Sequence, residues 1–471
     1  MVSEEEIIWM SAVELAKAIR EGKLSPVEVV DAFFKRINKI NPEINAFVTL
    51  MEDSARKEAE AAEKAVKKGE KLGPLHGVPI AVKDNIDVKG VRLTYASKMY
   101  ENNIAKEDMI HVDRLRKAGV IILGKTNLPE FGLIPVTDNP VFGPSRNPWD
   151  RSKTTGGSSG GSAAAIASGM APISLGNDGG GSIRVPSSLC GVFGLKPHLG
   201  RIPRWPTLPG WETMAVEGPL TRTVADAALM MDIMAGPDNR DYISLPPPTV
   251  SYFEKLEEDA KGKKFAYSPD LGYAVVDPEV IDVTRKAAFS FADLGYEVEE
   301  VELDFPNMEN DLVNQVVAET VAANEEHLEE WKKVAWPEYL NFLWLADHIK
   351  ATDYAKTQYR RKELWDKVRE VFEKYDFLLT PATAVPAFGI DLGMGPTEID
   401  GRAVASTSWI AFTYPFNFTH QPASSVPCGF TKDNLPVGLQ ILGNRFDELG
   451  VLQASRAFEK GLPWKDKKPP I

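Results

Sequence analysis

Two glycine-rich loops that carry serines, set on either side of a short apolar run, constrain this 471-residue chain more than any other feature. The first is Gly156-Gly-Ser158-Ser159-Gly-Gly161 and the second Asn177-Asp178-Gly179-Gly180-Gly181-Ser182-Ile-Arg184, with the mostly apolar residues 163–175 between them. Consecutive glycines let a backbone turn sharply enough for several N–H groups to point at one spot. A serine at the rim of such a nest can attack a carbonyl while those amides hold the developing oxyanion. Glycine and serine also make flexible linkers, but linkers stay polar. Here residues 162–169 read as a short buried helix, 172–175 as a buried strand end, and 183–186 and 190–195 return to an apolar interior.

A serine nucleophile needs a base. The histidines, His76, His111, His198, His327, His348 and His420, are scattered and mostly in ordinary settings. A lysine serves where a dry, apolar site lowers its pKa. Lys83, in Gly77-Val-Pro-Ile-Ala-Val-Lys83-Asp84-Asn85, ends a strand predicted over 78–82, where the active-site loops of α/β sheets gather. Bringing a lysine to near neutrality costs ~4 to 5 kcal/mol, which burial, nearby hydroxyls and backbone dipoles must supply. A surface lysine partnered by Asp84 fits the segment too, and is the more ordinary reading.

These three segments, with Cys190-Gly-Val-Phe-Gly-Leu-Lys-Pro197 after them, resemble the amidase signature family. The likeness extends to Gly124-Lys-Thr-Asn-Leu-Pro-Glu-Phe131, Phe142-Gly-Pro-Ser-Arg-Asn-Pro-Trp149, Gly218-Pro-Leu-Thr-Arg-Thr-Val-Ala-Asp226 and Leu435-Pro-Val-Gly-Leu-Gln-Ile441. It is strong over 25–235 and 375–460 and weak over 240–375. The resemblance implies a Ser–cis-Ser–Lys triad: Ser182 as nucleophile, Ser158 as the bridging serine on a cis peptide bond to Gly157, and Lys83 as the base acting through Ser158. It implies an oxyanion hole from the amides of Gly179, Gly180, Gly181 and Ser182, with Ser159, Asp178 and Arg184 in support. No metal or organic cofactor is implied. Asn177 and Gly179 depart from the family, which usually has threonine at both positions. The loss of a side chain at 179 is expected to widen the pocket or loosen the loop.

Two other matches fail on context. Gly119-Val-Ile-Ile-Leu-Gly124-Lys125-Thr126 spells a P-loop, but a P-loop needs its strand before the first glycine, and residues 120–123 are themselves the strand. Gly156-Gly-Ser158-Ser-Gly160 spells a nucleophile elbow, but the polar residues 151–155 are no strand. A Ser–His hydrolase is therefore a poor second reading.

Strands and helices alternate from residue 78 onward, as in a doubly wound α/β fold. With the resemblance, the expectation is a large twisted mixed sheet covered by helices on both faces. The chain reads as one amidase domain over 1–471, with 240–375 a variable, mainly helical section behind the proline-rich boundary 237–248. Capping boxes Ser11-Ala-Val-Glu14 and Ser25-Pro26-Val-Glu28 open two early helices. Apolar residues at 43 % suffice for a sizeable core, and a formal charge of −13 disfavours nucleic acid or an anionic membrane as the main partner. Cys190 and Cys428, without paired spacing, make a disulfide scaffold or zinc site unexpected. The acidic start and the absence of a long apolar run predict a cytoplasmic enzyme with no membrane partner. A homodimer is the expected assembly.

For the substrate pocket, Phe131 and Ile134 lie in a segment that lines the family's pocket, and Trp205, Leu208, Trp211 and Met214 follow the catalytic loops. Trp331, Trp336, Phe342 and Trp344 add aromatics from the helical section. Such residues are commonly core, yet an apolar, aromatic pocket favours aryl or long-chain acyl amides. The rival is the glutamine-hydrolysing subunit of a tRNA-dependent amidotransferase. Those relatives usually carry Tyr-Gly after a Lys-Pro-Thr stretch, where this chain has Lys196-Pro-His198-Leu-Gly-Arg201. They also tend to place an acid near the position of Ile410. A catalytically dead binding homologue is a third reading, opposed by the retained Lys83, Ser158 and Ser182.

Overall fold

In the computed structural model, which describes residues 2–207, 210–258 and 262–471, the strands in chain order are β1 (Phe47–Leu50), β2 (Pro79–Lys83), β3 (Ile121–Thr126), β4 (Ile173–Asp178), β5 (Phe193–Lys196), β6 (Val216–Thr221), β7 (Lys264–Tyr267), β8 (Glu297–Glu300), β9 (Phe377–Pro381), β10 (Glu398–Ile399), β11 (Arg402–Ala403), β12 (Ala423–Phe430) and β13 (Pro436–Gly443). Eleven form one sheet of order β1-β3-β2-β4-β6-β5-β12-β13-β9-β7-β8, and β10 pairs with β11 apart from it. The sheet is mixed. β2 runs parallel to β3 and β4, and β7 parallel to β8 and β9, while the middle strands pair antiparallel.

Successive strand residues point to opposite faces, and here they feed two cores. Phe265, Tyr267, Phe377 and Leu379 join one cluster, with the helices Pro26–Ile44, Val224–Met234 and Glu448–Gly461. Ala266 and Leu378 join the other, with Glu309–Ala323 and Ala351–Phe372. Helices thus cover both faces, the α/β arrangement expected. Ser11 and Ser25 close their capping boxes with Glu14 and Glu28, and a third box, Ser3 with Glu6, starts a helix Glu4–Trp9 that the sequence reading lacks.

The glycine-serine segment is no linker. Helix Gly160–Ala167 is buried at every position, and a Cβ on Gly161 would lie 2.4 Å from the Asn127 amide nitrogen. Glycine is there because another backbone is. The P-loop match is occupied by β3, and residues 151–155 form turns and isolated bridges, so neither discarded motif has its structural context. The weakly matching section supplies β7 and β8 to one edge of the sheet, besides its helices. Among the described residues, no helix is long and apolar enough to cross a membrane.

Candidate active site

β2 and β4, parallel neighbours, end side by side at Lys83 and at Asn177-Asp178. β2 is buried along its length, and that makes its last residue unusual. Lys83 is fully buried and its Nζ donates to Ser158 Oγ and to Asn177 Oδ1, each at 2.6 Å. Burial pushes its amine down to about 7, against the opposing pull of the Glu217 and Asp178 carboxylates. The surface-lysine reading is therefore overturned. Asp84 faces Lys125 Nζ at 3.5 Å and accepts from the Thr94 hydroxyl instead.

Ser158 follows a cis peptide bond from Gly157. Ser159 ties the two glycine loops together: its amide donates to the Ser182 carbonyl at 3.1 Å and its hydroxyl to the Asn177 carbonyl at 3.2 Å. Beneath the second loop lies a buried ion pair. Arg184 donates Nη2 to Asp178 Oδ1 at 2.9 Å and Nε to Oδ2 at 3.0 Å, a bidentate grip. Its remaining donors reach the Thr413 carbonyl, Gln440 Oε1 and Asn417 Oδ1, at 2.9, 2.7 and 2.6 Å. Burial pushes the Asp178 carboxyl up, but the charge and hydrogen bonds of Arg184 outweigh it and hold the group well below the usual carboxylate range.

That carboxylate also accepts from the amides of Gly181 at 2.8 Å and Ile183 at 3.1 Å. Gly181, at φ +135°, has its amide committed downward. The Gly181 amide is therefore taken by Asp178 and is not free for the four-donor nest expected of residues 179–182. Gly179 departs from expectation in another way. A Cβ there would lie 2.4 Å from Trp211 Cε3, so the indole ring fills the space a side chain would take, and the pocket is not widened at this point.

Two polar residues, Asn177 half-buried and Glu217 fully buried, went unassigned in the sequence reading. Asn177 bridges Lys83 and Asn85, accepting from the first and donating to Asn85 Oδ1 at 3.1 Å. Its departure from threonine was the signal. Glu217 stands opposite Asn177 in the β4–β6 register, 3.3 Å from Arg204 Nε and 3.8 Å from His111 Nε2, with its carboxyl pushed up by burial. No local pattern marks it.

Ser182, half-buried, sits where two cavities meet. One, of about 660 Å³, is walled by Ile134, Val185, Leu312, Val316, Phe342 and Ile410 among others. The second, of about 740 Å³, is the more polar: Ser158, Asn85, Asn177, Arg204 and Glu217 line it beside Tyr95, Met109 and Leu133. Of the proposed pocket residues, Ile134 lines the first, Phe131 the second and Trp211 both. Trp205 lines neither: its ring lies under the Arg240 guanidinium at 4.8 Å, and its carbonyl accepts the Ile110 amide. Met214 is core, Trp331 is buried edge-on against Phe131 at 5.0 Å, Trp336 borders a separate cavity, and Trp344 is exposed. Leu208 lies outside the described residues.

The family model described as Amidase matches residues 28–452. An acylamidase of Rhodococcus erythropolis is 39 % identical over 472 residues, covering 99 % of this chain and 98 % of that protein. One of the glutamyl-tRNA(Gln) amidotransferase subunits, from Sulfurihydrogenibium sp. (strain YO3AOP1), is 34 % identical over 96 % of this chain and 97 % of its own. Among solved structures, a bacterial aryl acylamidase of the amidase signature enzymes superposes with a TM-score of 0.91 at 32 % identity, covering 97 % of each chain. A 6-aminohexanoate cyclic dimer hydrolase does so with 0.88 at 30 %, covering 98 % of this chain and 99 % of that one. With the sheet, the two serine-bearing glycine loops and the buried lysine between them, these likenesses establish that the chain belongs to the amidase signature family and is a carboxamide hydrolase.

Proposed function

We propose that this enzyme cleaves amides with an apolar acyl group through an acyl-enzyme on Ser182, with Lys83 as base and Ser158 as the relay between them. The observation that carries the reading is the 2.6 Å hydrogen bond from a fully buried Lys83, its amine held to about 7, to the Ser158 hydroxyl. Neutral Lys83 takes the Ser158 proton as Ser158 takes that of Ser182, whose Oγ attacks the amide carbon. The oxyanion is received by the amides of Gly179, Gly180 and Ser182, where one well-aimed donor is worth about 100-fold or more in rate. The C–N bond breaks as Ser158 returns the proton to the leaving nitrogen and is reprotonated by Lys83. Water, activated along the same relay, then attacks the ester and frees the acid and Ser182.

The apolar wall supports hydrophobic acyl groups over the glutamine of an amidotransferase. Ile410, where the rival reading needs an acid to grip an amine, lines that wall. Glu309, which also borders it, accepts from the hydroxyls of Thr407 and Ser408. The test is release of p-nitroaniline from hexanoyl p-nitroanilide by the purified chain alone, beside Ser182→Ala. Turnover abolished by the substitution is expected. Turnover that survives it refutes the role of Ser182, and none by the intact chain favours the amidotransferase reading.

A further inference from the structure

The two cavities that meet at Ser182 are not interchangeable. Resting on the hydrolase reading above, the leaving nitrogen must be protonated by Ser158 before it can depart. Ser158 and Asn177 line the polar cavity and not the apolar one. The amine half of the substrate therefore belongs on the polar side and the acyl half on the apolar side.

Trp211 stands between them. It borders both cavities, and its ring lies against Gly179 so closely that a Cβ there would meet Cε3 at 2.4 Å and Cζ3 at 2.7 Å. The φ of Gly179 lies outside the positive range that demands glycine, so the ring, not the backbone, is what excludes a side chain. The Trp211 amide donates to Glu319 Oε2 at 2.6 Å. Glu319 belongs to helix Glu309–Ala323, which runs along both cavities. Leu312 and Val316 line the apolar one, whereas Thr320, one turn on, and Asn324, just past its end, line the polar one. The spacing of four residues keeps neighbours in this series on one face. The lining of the cleft thus changes character along the same helix that anchors the tryptophan.

We infer that Trp211 is a specificity-determining partition, separating an apolar acyl compartment from a polar amine compartment, and that glycine at 179 is what admits its ring. The test compares two mirror-image amides, hexanoyl serinol amide and the glyceroyl amide of hexylamine, by amine release. The intact enzyme is expected to favour the first by about 100-fold in kcat/KM, within the range that hydrophobic and polar pockets achieve. Trp211→Ala is expected to cut that preference to under about tenfold, mainly through KM, while Trp211→Phe keeps most of it. Gly179→Ala displaces the ring from the other side and should lower both rate and preference. Adding Trp211→Ala to it should then recover rate, a coupling that independent sites do not show.

Unchanged preference in Trp211→Ala with an unaltered unfolding midpoint overturns the partition, as does a double variant no faster than Gly179→Ala. If Trp211→Ala does not fold, full preference in Gly179→Ala overturns it instead. Absence of Ser182-dependent turnover on either amide, and on the anilide, overturns the hydrolase reading and this inference with it. Ser182-dependent turnover with unaltered selectivity overturns the partition alone.

Discussion

The helices that follow the two serine-bearing glycine loops are built on opposite terms from those over the cleft, Glu309–Ala323 and, packed behind it, Ala351–Phe372. Gly160–Ala167 and Arg184–Cys190 are buried at every position. They are short and, Arg184 apart, apolar or small all round, as helices inside a core must be. Ala351–Phe372, at 22 residues, buries Thr357, Leu364, Val368 and Val371 and presents charge elsewhere. The second of the short helices is tied down at Arg184 by a buried ion pair and its hydrogen bonds, which fix atoms to one arrangement. The cover is held by apolar packing and a few polar ties, such as the Tyr354 hydroxyl to Glu319 Oε1 at 2.9 Å. Apolar packing tolerates exchange of side chains where charge-assisted geometry does not. The cover is therefore expected to accept exchanges of side chains that the residues around Arg184 do not.

Substitutions can break or sharpen this contrast. The largest effect is expected at the floor: Ser182→Ala should lower kcat by ~10⁴-fold or more, and Lys83→Met by ~10²- to 10⁴-fold, in steady-state hydrolysis of the anilide. Next, Arg184→Leu strands the Asp178 charge in the core and should cost about 3 to 5 kcal/mol in urea unfolding. The exposed Lys362–Asp366 pair of the covering helix is the matched control, and Lys362→Ala should leave the midpoint where it was.

The pH dependence separates the two regions again. Because only neutral Lys83 accepts a proton, kcat/KM should rise with pH through about 7 and level off above it. Asn177 Oδ1 accepts a hydrogen bond that favours the charged amine. Asn177→Leu should therefore move that limb to lower pH, whereas Val316→Ser in the cover should not move it. For stability the sign is the same. The folded value lies below that of a free lysine, so the stability this group contributes is fully present above the ordinary lysine range and lost as pH falls through about 7. Among covering residues the expected effects are smaller: Val316→Ser should raise KM for a hexanoyl amide by about tenfold with kcat little changed. Trp205→Ala, off the cleft, should alter kcat/KM by less than about threefold, a result that a pocket role for this ring would contradict.

The parts legible in the sequence are those encoded over a few consecutive residues. Capping boxes at Ser11 and Ser25, the apolar run that carries Lys83 inward, and the glycine loops around Ser158 and Ser182 are each local statements about backbone and burial. Even Gly179 could be flagged as a departure. What filled its space could not, because the ring comes from residue 211 and nothing in either segment names the other. Trp205 and Trp211, six residues apart and alike on paper, end on opposite sides of the question: one under Arg240, the other between two cavities.

The sequence by itself determined that an apolar strand would end in a lysine and that two glycine-rich loops would carry serines among alternating strands and helices, since periodicity and turn chemistry act along the chain. Only the tertiary structure decided that Asn177 and Ser158 would converge on Lys83, that Asp178 would take the Gly181 amide, and that Thr413, Asn417 and Gln440 would complete the shell around Arg184. These groups lie up to 256 residues apart in the chain. Hydrogen bonds of 2.6 to 3.0 Å between them depend on how sheet and helices pack, a distance condition that no stretch of local sequence specifies.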